Sequence, residues 1–449
     1  MHTRQVSIEK MVYGGAGFGR LDGKACFVPF TAPGDEVAIV VTREKRSYLE
    51  GEVQELLTAS PLRAQPPCPI FGSCGGCNWQ HLPYGEQLVQ KQEIFSEFLF
   101  RAGRVGKELV SPIVPSPEPF GYRSRVQFKV RSVAGNVHVG FYRRGSHFAI
   151  AVPERCAIAH PAINRFLGRL RSVLAVCPEV GNVPQVDVAV GEDGAVVATF
   201  HYIGEKYGDF RASLQDAALF SGEVGGLCIQ RGRKDTLEQV RGIDSLSYVI
   251  PEEFLPGMPE MRIVFGGGGF SQVNYRQNLA ILTLVFRLAR LGGTERVLDL
   301  FCGNGNFSLP LSGYAAEIVG MEAYEPSIRD AIRNCRVNGV TNACYACDDA
   351  QAGIQRLAAR GEKFDVVLLD PPRTGAADVV KLLPAVEPRS IIYVSCDPAT
   401  LARDIGILQR AGYAVAQSCP VDMFPQTYHI ESVTLLERCA GSTPKTGER

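Results

Sequence analysis

The 449-residue sequence lacks several features that would assign it to a class of protein at once. It has 47 Lys and Arg against 47 Asp and Glu, so its formal net charge of zero identifies no class of partner. It contains no run of 18 or more apolar residues, which excludes a membrane-spanning helix. The N-terminus is polar and has no hydrophobic signal-peptide core. We therefore expect a cytoplasmic protein that has no membrane partner.

Cysteine, by contrast, is abundant, with 14 residues. Without an export signal, we expect reduced thiols and a bound metal rather than a disulfide framework. Cys68, Cys74 and Cys77 lie close together beside glycines that allow the backbone to wrap around a metal, and Cys156 is the best candidate for a fourth ligand. Four thiolates suit tetrahedral zinc and an iron–sulfur cluster about equally. Four other cysteines are expected to pack rather than to bind metal: Cys302, Cys335, Cys344 and Cys347.

The length suggests about three domains, and three regions differ in pattern. Residues 1–59 alternate short apolar strands with glycine turns, which predicts a small β-barrel. Residues 60–264 hold the clustered cysteines, a predicted helix near residues 86–101, and mixed strands and helices, so we expect an α+β domain with a metal site. Residues 265–440 show regular βαβ alternation, which predicts a doubly wound sheet of five parallel strands plus a terminal hairpin. The fold class is therefore α/β.

Polar residues mark the ends of successive predicted strands in this last region. Asp299-Leu300-Phe301-Cys302-Gly303-Asn304-Gly305 is a strand followed by a glycine loop, and a helix comes next. Glu322, Asp348 and Asp370 close the following strands, and an acid at the second strand end can bind ribose hydroxyls. Helix capping would explain any one of these residues but not the set. The pattern predicts a site for a nucleotide-like ligand.

Cys396 follows an apolar β-branched run that predicts a buried strand, and a predicted helix comes after it. The carboxyl end of a parallel strand faces the crevice where open α/β sheets bind ligands. A thiolate in that position is a candidate nucleophile, and a buried small hydrophobic residue is the alternative. Glu431, judged from the residues alone, is better interpreted as a surface acid on an edge strand.

Several motifs resemble those of the RNA uracil-5-methyltransferases, which use S-adenosylmethionine. The glycine loop after Asp299 is similar to the first motif of methyltransferases that bind this cofactor. The others are Phe270-Ser271-Gln272-Val273-Asn274, Asp370-Pro371-Pro372-Arg373, Ser395-Cys396-Asp397-Pro398 and His429-Ile430-Glu431-Ser432-Val433. The resemblance extends from the N-terminal barrel, which is similar to an OB-like TRAM domain, to about Arg438.

The chemistry of that family explains why these residue types are needed. A thiolate adds to carbon 6 of uracil, so that carbon 5 becomes nucleophilic enough to accept a methyl group from a sulfonium. A base then removes the proton at carbon 5, and elimination releases the thiolate. The resemblance implies that Cys396 is the nucleophile and Glu431 the base. It implies cofactor contacts at Gln272, Phe301, Asn306, Glu322, Asp348 and Asp370, with Asp348 chosen over Asp349 by its distance from the strand.

The resemblance also extends to the clustered cysteines. The iron–sulfur branch of the family has this cysteine pattern, which implies a four-iron four-sulfur cluster. Its ligands would be Cys68, Cys74, Cys77 and Cys156. Because methyl transfer needs no electron, we expect the cluster to support the structure or to order the RNA.

A basic block lies between residues 101 and 150, with nine Lys and Arg against two acids. Its aromatic residues include Tyr122, Phe128, Phe141 and Tyr142. Arginines can contact phosphates and aromatic rings can stack on bases, whereas the alternative is a solvated sheet face with core aromatics. We expect an RNA partner, 23S ribosomal RNA first and the T-loop of transfer RNA second. A non-catalytic iron–sulfur RNA-binding protein is a further alternative, and a monomer is the default.

Overall fold

A computed structural model of the chain describes residues 3–177, 179–216, 222, 224–232, 236–266, 269 and 271–440. Phe270, the first residue of one of the family motifs, lies outside the described residues. Over the described ranges, no helix is long and apolar enough to cross a membrane.

The N-terminal segment forms a closed five-stranded barrel in the order β1-β2-β3-β5-β4. Its strands are β1 (Arg4–Met11), β2 (Ala16–Leu21), β3 (Lys24–Pro29), β4 (Glu36–Glu44) and β5 (Tyr48–Thr58). Gly14 and Gly15 have φ angles of 98° and 90° in the turn between β1 and β2, a conformation that favours glycine. The prediction of a small barrel with turn glycines is confirmed.

The central region contains helix α1 (Tyr84–Arg101), which follows the first three clustered cysteines, and a seven-stranded sheet ordered β12-β11-β10-β9-β6-β7-β8. Its strands are β6 (Arg125–Val133), β7 (Asn136–Tyr142), β8 (Ala149–Ala151), β9 (Gln185–Val190), β10 (Val196–His201), β11 (Val224–Gln230) and β12 (Leu237–Gly242). Helices α2 (Pro161–Val176) and α3 (Tyr207–Asp216) cover this sheet, and β13 (Ser245–Ile250) pairs with β14 (Met261–Gly266). Strands β9 and β10 pair as an antiparallel hairpin.

The C-terminal region is a second seven-stranded sheet with helices on both faces. Its strands are β15 (Arg296–Leu300), β16 (Glu317–Glu322), β17 (Ala343–Cys347), β18 (Val366–Leu369), β19 (Ser390–Ser395), β20 (Tyr413–Val421) and β21 (Glu431–Arg438). Its helices are α4 (Tyr275–Ala289), α5 (Ser308–Leu311), α6 (Glu325–Val337), α7 (Ala350–Ala359), α8 (Ala377–Val380) and α9 (Pro398–Arg410). All residues of β18 and β19 are buried, as expected for parallel strands covered on both faces. The predicted Rossmann-like sheet is confirmed.

The two last strands do not simply extend the edge of this sheet. The strand order is β17-β16-β15-β18-β19-β21-β20, so β21 lies inside, antiparallel to β19 on one side and to β20 on the other. Ser395 at the end of β19 pairs with Ser432 near the start of β21. This register places the residue after Ser395 opposite the residue before Ser432.

The loop of residues 422–430, which leads into β21, is anchored by helix α1. Lys91 of α1 forms an ion pair of 2.5 Å with Asp422, and both side chains are completely buried. The same ammonium group donates a hydrogen bond to the carbonyl of Phe424 at 3.0 Å. The side-chain amide of Gln87 donates a hydrogen bond to Oε1 of Gln426 at 3.0 Å, and its Oε1 accepts one from the Gln426 backbone N–H at 2.9 Å. Helix α1 therefore fixes the backbone from which β21 begins.

The barrel and the cysteine-containing segment hold the same loop from another side. The Trp79 backbone N–H donates to the carbonyl of Gln426 at 3.1 Å, and the Trp79 indole donates to the carbonyl of Gly15 at 3.1 Å. The hydroxyl of Tyr122, from the central region, donates to the carbonyl of Pro425 at 3.0 Å. Three regions of the chain thus converge on one loop.

Candidate active site

The carboxyl ends of the five parallel strands lie along one edge of the C-terminal sheet. Because neighbouring strands lie in the order β17-β16-β15-β18-β19, the residues at their ends follow in the order Asp348, Glu322, Phe301, Asp370, Cys396. The sheet thus aligns five of the predicted site residues along a single edge, which is where doubly wound folds bind ligands.

The loop after β15 leaves open space for a ligand. Phe301, Gly303 and Gly305 all have left-handed backbone conformations, with φ of 64°, 55° and 82°. A Cβ atom added at Gly303 would meet nothing within 4 Å, whereas one at Gly305 would lie 2.9 Å from the Tyr345 hydroxyl. Gly305 is therefore needed for close packing, and Gly303 exposes backbone that a ligand can approach.

Two acids with raised pKa values lie near this loop, the buried Asp299 and the half-buried Asp370. Asp299 is 1% exposed, and neither of its carboxyl oxygens has a hydrogen-bond partner among the described residues. Burial raises the pKa of Asp299 to about 8, although the neighbouring Ser308 acts in the opposite direction. Burial, and then the charge of Glu322, raise the pKa of Asp370 to about 7. A ligand carrying positive charge would stabilise the ionised form of both acids, so the site fits a sulfonium cofactor with an amino group.

Cys396 lies between the end of β19 and the start of α9. Asp397 caps α9, because its Oδ1 accepts hydrogen bonds from the N–H groups of Ala399 and Thr400 at 3.0 and 2.9 Å. The half-buried thiol has its pKa raised to about 12, first by burial and then by the charges of Glu431 and Asp370. The positive charge of Arg373 acts in the opposite direction and favours the thiolate.

Glu431 is the first residue of β21 and is 4% exposed. The register of β21 on β19 places it opposite Cys396. Burial, followed by the charge of Asp370, raises the pKa of Glu431 well above its usual range, while Arg373 lowers it. A carboxylate with a raised pKa is a stronger base when it is ionised. The interpretation of Glu431 as an exposed acid, which the residues alone favoured, is wrong, because β21 lies inside the sheet.

Three aromatic side chains lie close together in the loop that precedes Glu431. The ring of His429 lies 4.3 Å from that of Tyr428 and 5.7 Å from that of Phe424, measured between centroids. Burial, together with the nearby Arg373, lowers the pKa of His429 to about 3, so its imidazole is neutral at physiological pH. Neutral aromatic rings in the loop before Glu431 offer surfaces on which a planar heterocycle can stack.

Of three further predicted cofactor residues, two have hydrogen-bond or ion-pair partners in this structure and one lines a cavity. Asn306 exchanges two hydrogen bonds of 2.9 Å with Asn278 of α4 and accepts one from Tyr248. Gln272 lines a cavity of about 270 Å³ whose wall includes both Asn278 and Tyr248. These two residues therefore belong to one neighbourhood, on the α4 side of the glycine loop.

The third of these residues, Asp348, forms an ion pair with Arg356 of α7. The adjacent Asp349 caps α7, because its Oδ1 accepts a hydrogen bond from the N–H of Ala352 at 3.0 Å. Asp348 is the less exposed of the two. Its role as a cofactor contact stays a prediction.

The four clustered cysteines surround one cavity. Cys68, Cys74, Cys77 and Cys156 all line a space of about 520 Å³ between the central region and the C-terminal sheet. Burial raises the pKa of Cys74 to about 11 and that of Cys77 to about 12, and the other thiols of the set add to both shifts. Across the described residues, no group of three or more His, Cys, Asp or Glu side chains is arranged to hold a metal ion. The predicted metal cluster is therefore not shown.

Hydrogen bonds connect the segment of residues 68–77, which we call the cysteine segment, to a neighbouring hairpin loop. Cys74 forms a β-bridge with Arg143, the N–H of Gly75 donates to Tyr142 at 3.0 Å, and the N–H of Arg144 donates to Ser73 at 2.9 Å. The N–H of Gly76 donates to the sulfur of Cys74 at 3.4 Å. The segment is thus continuous with the loop that joins β7 to β8.

Only part of the basic block is available to a partner. Tyr122 is 5% exposed and Phe128 is completely buried, so neither can stack on a base in this structure. Residues 142–148 are exposed, and we call them the basic hairpin loop. Arg131 lies over the ring of Phe148 at 3.6 Å, and Arg144 lies over Phe30 of the barrel at 4.9 Å.

Two of the four cysteines that were expected to pack are instead exposed. They are Cys344 and Cys347, which lie on the edge strand β17, so the prediction is wrong for them.

Comparisons with known proteins agree with this architecture. Residues 84–439 match the family model of tRNA (Uracil-5-)-methyltransferase, and residues 2–54 match that of the TRAM domain. The chain is 36% identical to the 23S rRNA (uracil(1939)-C(5))-methyltransferase RlmD of Thiobacillus denitrificans, over 96% of this chain and 99% of that protein. It is 32% identical to an uncharacterized RNA methyltransferase of Halalkalibacterium halodurans, over 96% of both proteins.

A solved structure covers the same length. The Pyrococcus abyssi tRNA (uracil-54, C5)-methyltransferase in complex with S-adenosyl-L-homocysteine superposes with a TM-score of 0.73 and 25% identity, over 96% of this chain and all of that one. Fold and site together define an S-adenosylmethionine-dependent RNA methyltransferase. The chain belongs to the tRNA (uracil-5-)-methyltransferase family, and the reaction it catalyses is methylation of uracil at carbon 5 in RNA.

The sequence predictions did not give Arg373 a role of its own, although it closes the Asp-Pro-Pro-Arg motif. Because its charge favours the thiolate of Cys396, Arg373→Gln should raise the pKa of that thiol. A rise of half to one pKa unit would reduce the thiolate fraction about three- to tenfold at a given pH. The measurement is the pH dependence of alkylation of Cys396 by iodoacetamide, followed by mass spectrometry. Arg336→Gln on α6 is the control, and identical alkylation profiles for the two variants would contradict the prediction.

Proposed function

We propose that the enzyme forms 5-methyluridine in 23S ribosomal RNA, with Cys396 as nucleophile and Glu431 as base. The observation that carries this proposal is the pairing of Ser395 with Ser432, which sets Cys396 opposite Glu431 beside the cofactor crevice. A half-buried thiol and a buried carboxyl that face each other at the carboxyl end of β19 are what addition and proton removal on one ring require.

The first step is addition of the Cys396 thiolate to carbon 6 of the target uracil. The C5=C6 electron pair moves towards the O4 carbonyl, and carbon 5 becomes nucleophilic. Arg373 assists by stabilising the thiolate, and the aromatic rings of His429 and Tyr428 accept the base. The target base must leave its stack to enter the crevice. When bound, S-adenosylmethionine supplies an electrophilic methyl group.

The last step regenerates the uracil ring. Glu431 takes the proton from carbon 5, the electrons of that bond re-form C5=C6, and the bond between carbon 6 and sulfur breaks. The Cys396 thiolate is released and the proton resides on the carboxyl. The raised pKa of Glu431 favours this transfer, because it makes the carboxylate a stronger base. We propose that Gln272, Phe301, Asn306, Glu322, Asp348 and Asp370 hold the cofactor.

Two substitutions separate these roles. Cys396→Ala should abolish methyl transfer, because no adduct can form. Glu431→Gln should permit addition and methylation but slow release, so a covalent protein–RNA adduct should accumulate on denaturing gels. RNA substituted with 5-fluorouridine should trap the same adduct with the unaltered enzyme, since fluorine replaces the proton. Normal turnover by Glu431→Gln with no adduct would show that another group is the base.

The preference for ribosomal RNA rests on the relatives. The curated relatives named for 23S ribosomal RNA are up to 36% identical over almost the whole chain, whereas the solved structure named for transfer RNA is 25% identical. The full-length match to that transfer RNA enzyme keeps the T-loop as the second candidate.

We assign RNA binding to the barrel domain, residues 1–59, and to the basic hairpin loop of the central domain, residues 60–264. Residues 265–440 form the catalytic domain, and a monomer is proposed for the active state.

Mapping of 5-methyluridine distinguishes the two substrates. Deletion of the gene should remove the modification from one position of 23S ribosomal RNA, and expression of the wild-type enzyme should restore it, whereas Cys396→Ala should not. Loss from transfer RNA with unchanged ribosomal RNA would select the second candidate.

We also propose that Cys68, Cys74, Cys77 and Cys156 bind a four-iron four-sulfur cluster. The shared cavity and the N–H bond to the Cys74 sulfur support it. A cluster takes one thiolate at each of four irons and so spreads its ligands more widely than a single zinc ion does. Because the cysteine segment is bonded to the basic hairpin loop, the cluster would order an RNA-binding element.

Anaerobically purified protein should contain about four iron and four sulfide per chain. Cys77→Ser should lose the iron and weaken RNA binding, because the hairpin loop loses its support. Cys177→Ser, at a half-buried cysteine of the central domain outside the cavity, is the control and should retain iron. Colourless protein with stoichiometric zinc would contradict the assignment.

A further inference from the structure

A tyrosine of the barrel reaches the catalytic loop of the C-terminal domain. Tyr13 lies in the turn between β1 and β2, and its hydroxyl donates a hydrogen bond of 2.9 Å to Oδ2 of Asp397. Asp397 directly follows the nucleophile Cys396. The two bonded residues are separated by 384 positions in the sequence, so only folding of the whole chain brings them together.

The two oxygens of Asp397 have different tasks. Oδ1 accepts the N–H groups of Ala399 and Thr400 and so caps helix α9. Oδ2 accepts the Tyr13 hydroxyl. The carboxylate is thereby held from both sides, which fixes the backbone that presents Cys396.

The same tyrosine contacts the loop that carries the base. The ring of Tyr13 meets that of Tyr428 edge-on, with centroids 5.4 Å apart and an interplanar angle of 87°. It meets Phe98 of α1 in the same way at 5.6 Å. Gly15 permits this approach, because a Cβ atom there would lie 3.1 Å from the Tyr428 ring. Tyr13 therefore touches both the Cys396 side and the Glu431 side of the site.

We propose that Tyr13 is a positioning residue of the methyltransferase: its bond to Asp397 holds the nucleophile loop, and its ring holds the loop before the base. The barrel is then part of the catalytic assembly as well as an RNA-binding domain. This inference rests on the proposed role of Cys396 as nucleophile. Tyr13 acts through Asp397 and touches no reacting atom.

The charges around Cys396 give the proposal a measurable signature. Its thiol faces Glu431 of β21, Asp370 and Arg373 after β18, and Asp397 of its own loop. All three carboxyls disfavour the thiolate and Arg373 favours it. A hydroxyl donated to Asp397 draws its negative charge away from the sulfur. Removing that hydroxyl should therefore make the thiolate harder to form.

Tyr13→Phe removes the hydrogen bond and keeps the ring. We expect alkylation of Cys396 by iodoacetamide to shift to higher pH and the single-turnover rate of RNA methylation to fall about tenfold, while the RNA dissociation constant changes less than twofold. Tyr48→Phe is the matched control, since it makes the same change in the same barrel, where Tyr48 packs against Phe27. Thermal melting of both variants reports whether the barrel stays folded.

A double-mutant cycle tests the route through Asp397. Asp397→Asn keeps a capping oxygen for α9 and removes the acceptor of the Tyr13 hydroxyl. If Tyr13 acts through Asp397, adding Tyr13→Phe to Asp397→Asn should cause no further loss of rate. Additive losses would overturn the proposed route.

Other outcomes are also decisive. Unchanged alkylation and unchanged single-turnover rate in Tyr13→Phe would overturn the proposal, as would a loss confined to RNA affinity. The alkylation assay needs no RNA and no cofactor, so it reports on the Tyr13 contact even if Cys396→Ala proved active. In that case the proposed role of Cys396 as nucleophile would be wrong, while the shift in alkylation would still show whether Tyr13 acts on the Cys396 thiol.

Discussion

The arrangement of the active site depends on one backbone constraint, the antiparallel register of β21 on β19. Side chains of a strand alternate between faces, so a slip of one residue would turn Glu431 away from Cys396. The register is strongly specified because every residue of β19 and the first six of β21 are buried. β20 pairs with the other edge of β21, so the backbone hydrogen-bonding groups on that edge have partners as well. Cys396 and Glu431 are thus held opposite each other by the same hydrophobic burial that forms the sheet.

A buried ion pair sets where that strand begins. Lys91 and Asp422 are completely enclosed, and taking two charges out of water is costly unless the geometry is good. Such a pair adds little net stability but penalises any displacement of the loop between β20 and β21. Gln87, Trp79 and Tyr122 bond to backbone groups of that loop or to the Gln426 side chain. These residues lie outside the C-terminal sheet. The position of the loop before Glu431 therefore depends on contacts with the central region as well as on the sheet itself.

Much of the fold was predictable from local pattern. The buried strand predicted before Cys396 agrees with β19, because an apolar β-branched run bounded by turn residues leaves little ambiguity. The site was predictable where a motif carried it, as at Cys396 and Asp370. The sequence did not predict exposure correctly where it depends on neighbouring strands. Tyr122 and Phe128 were expected to stack on bases but are buried, and Cys344 was expected to pack but is exposed. Burial of one residue depends on strand order, which local pattern does not contain.

The sequence by itself determined the α/β class, the barrel, the parallel strands and the chemical types at the strand ends, since these follow from periodicity and from motifs of adjacent residues. The tertiary structure decided that β21 is an inner strand, so that Glu431 is a buried acid with a raised pKa and not a surface acid. It also decided that Tyr13 meets Asp397. Both results depend on contacts between distant segments, where strand order and packing set the dielectric environment and the distance between groups.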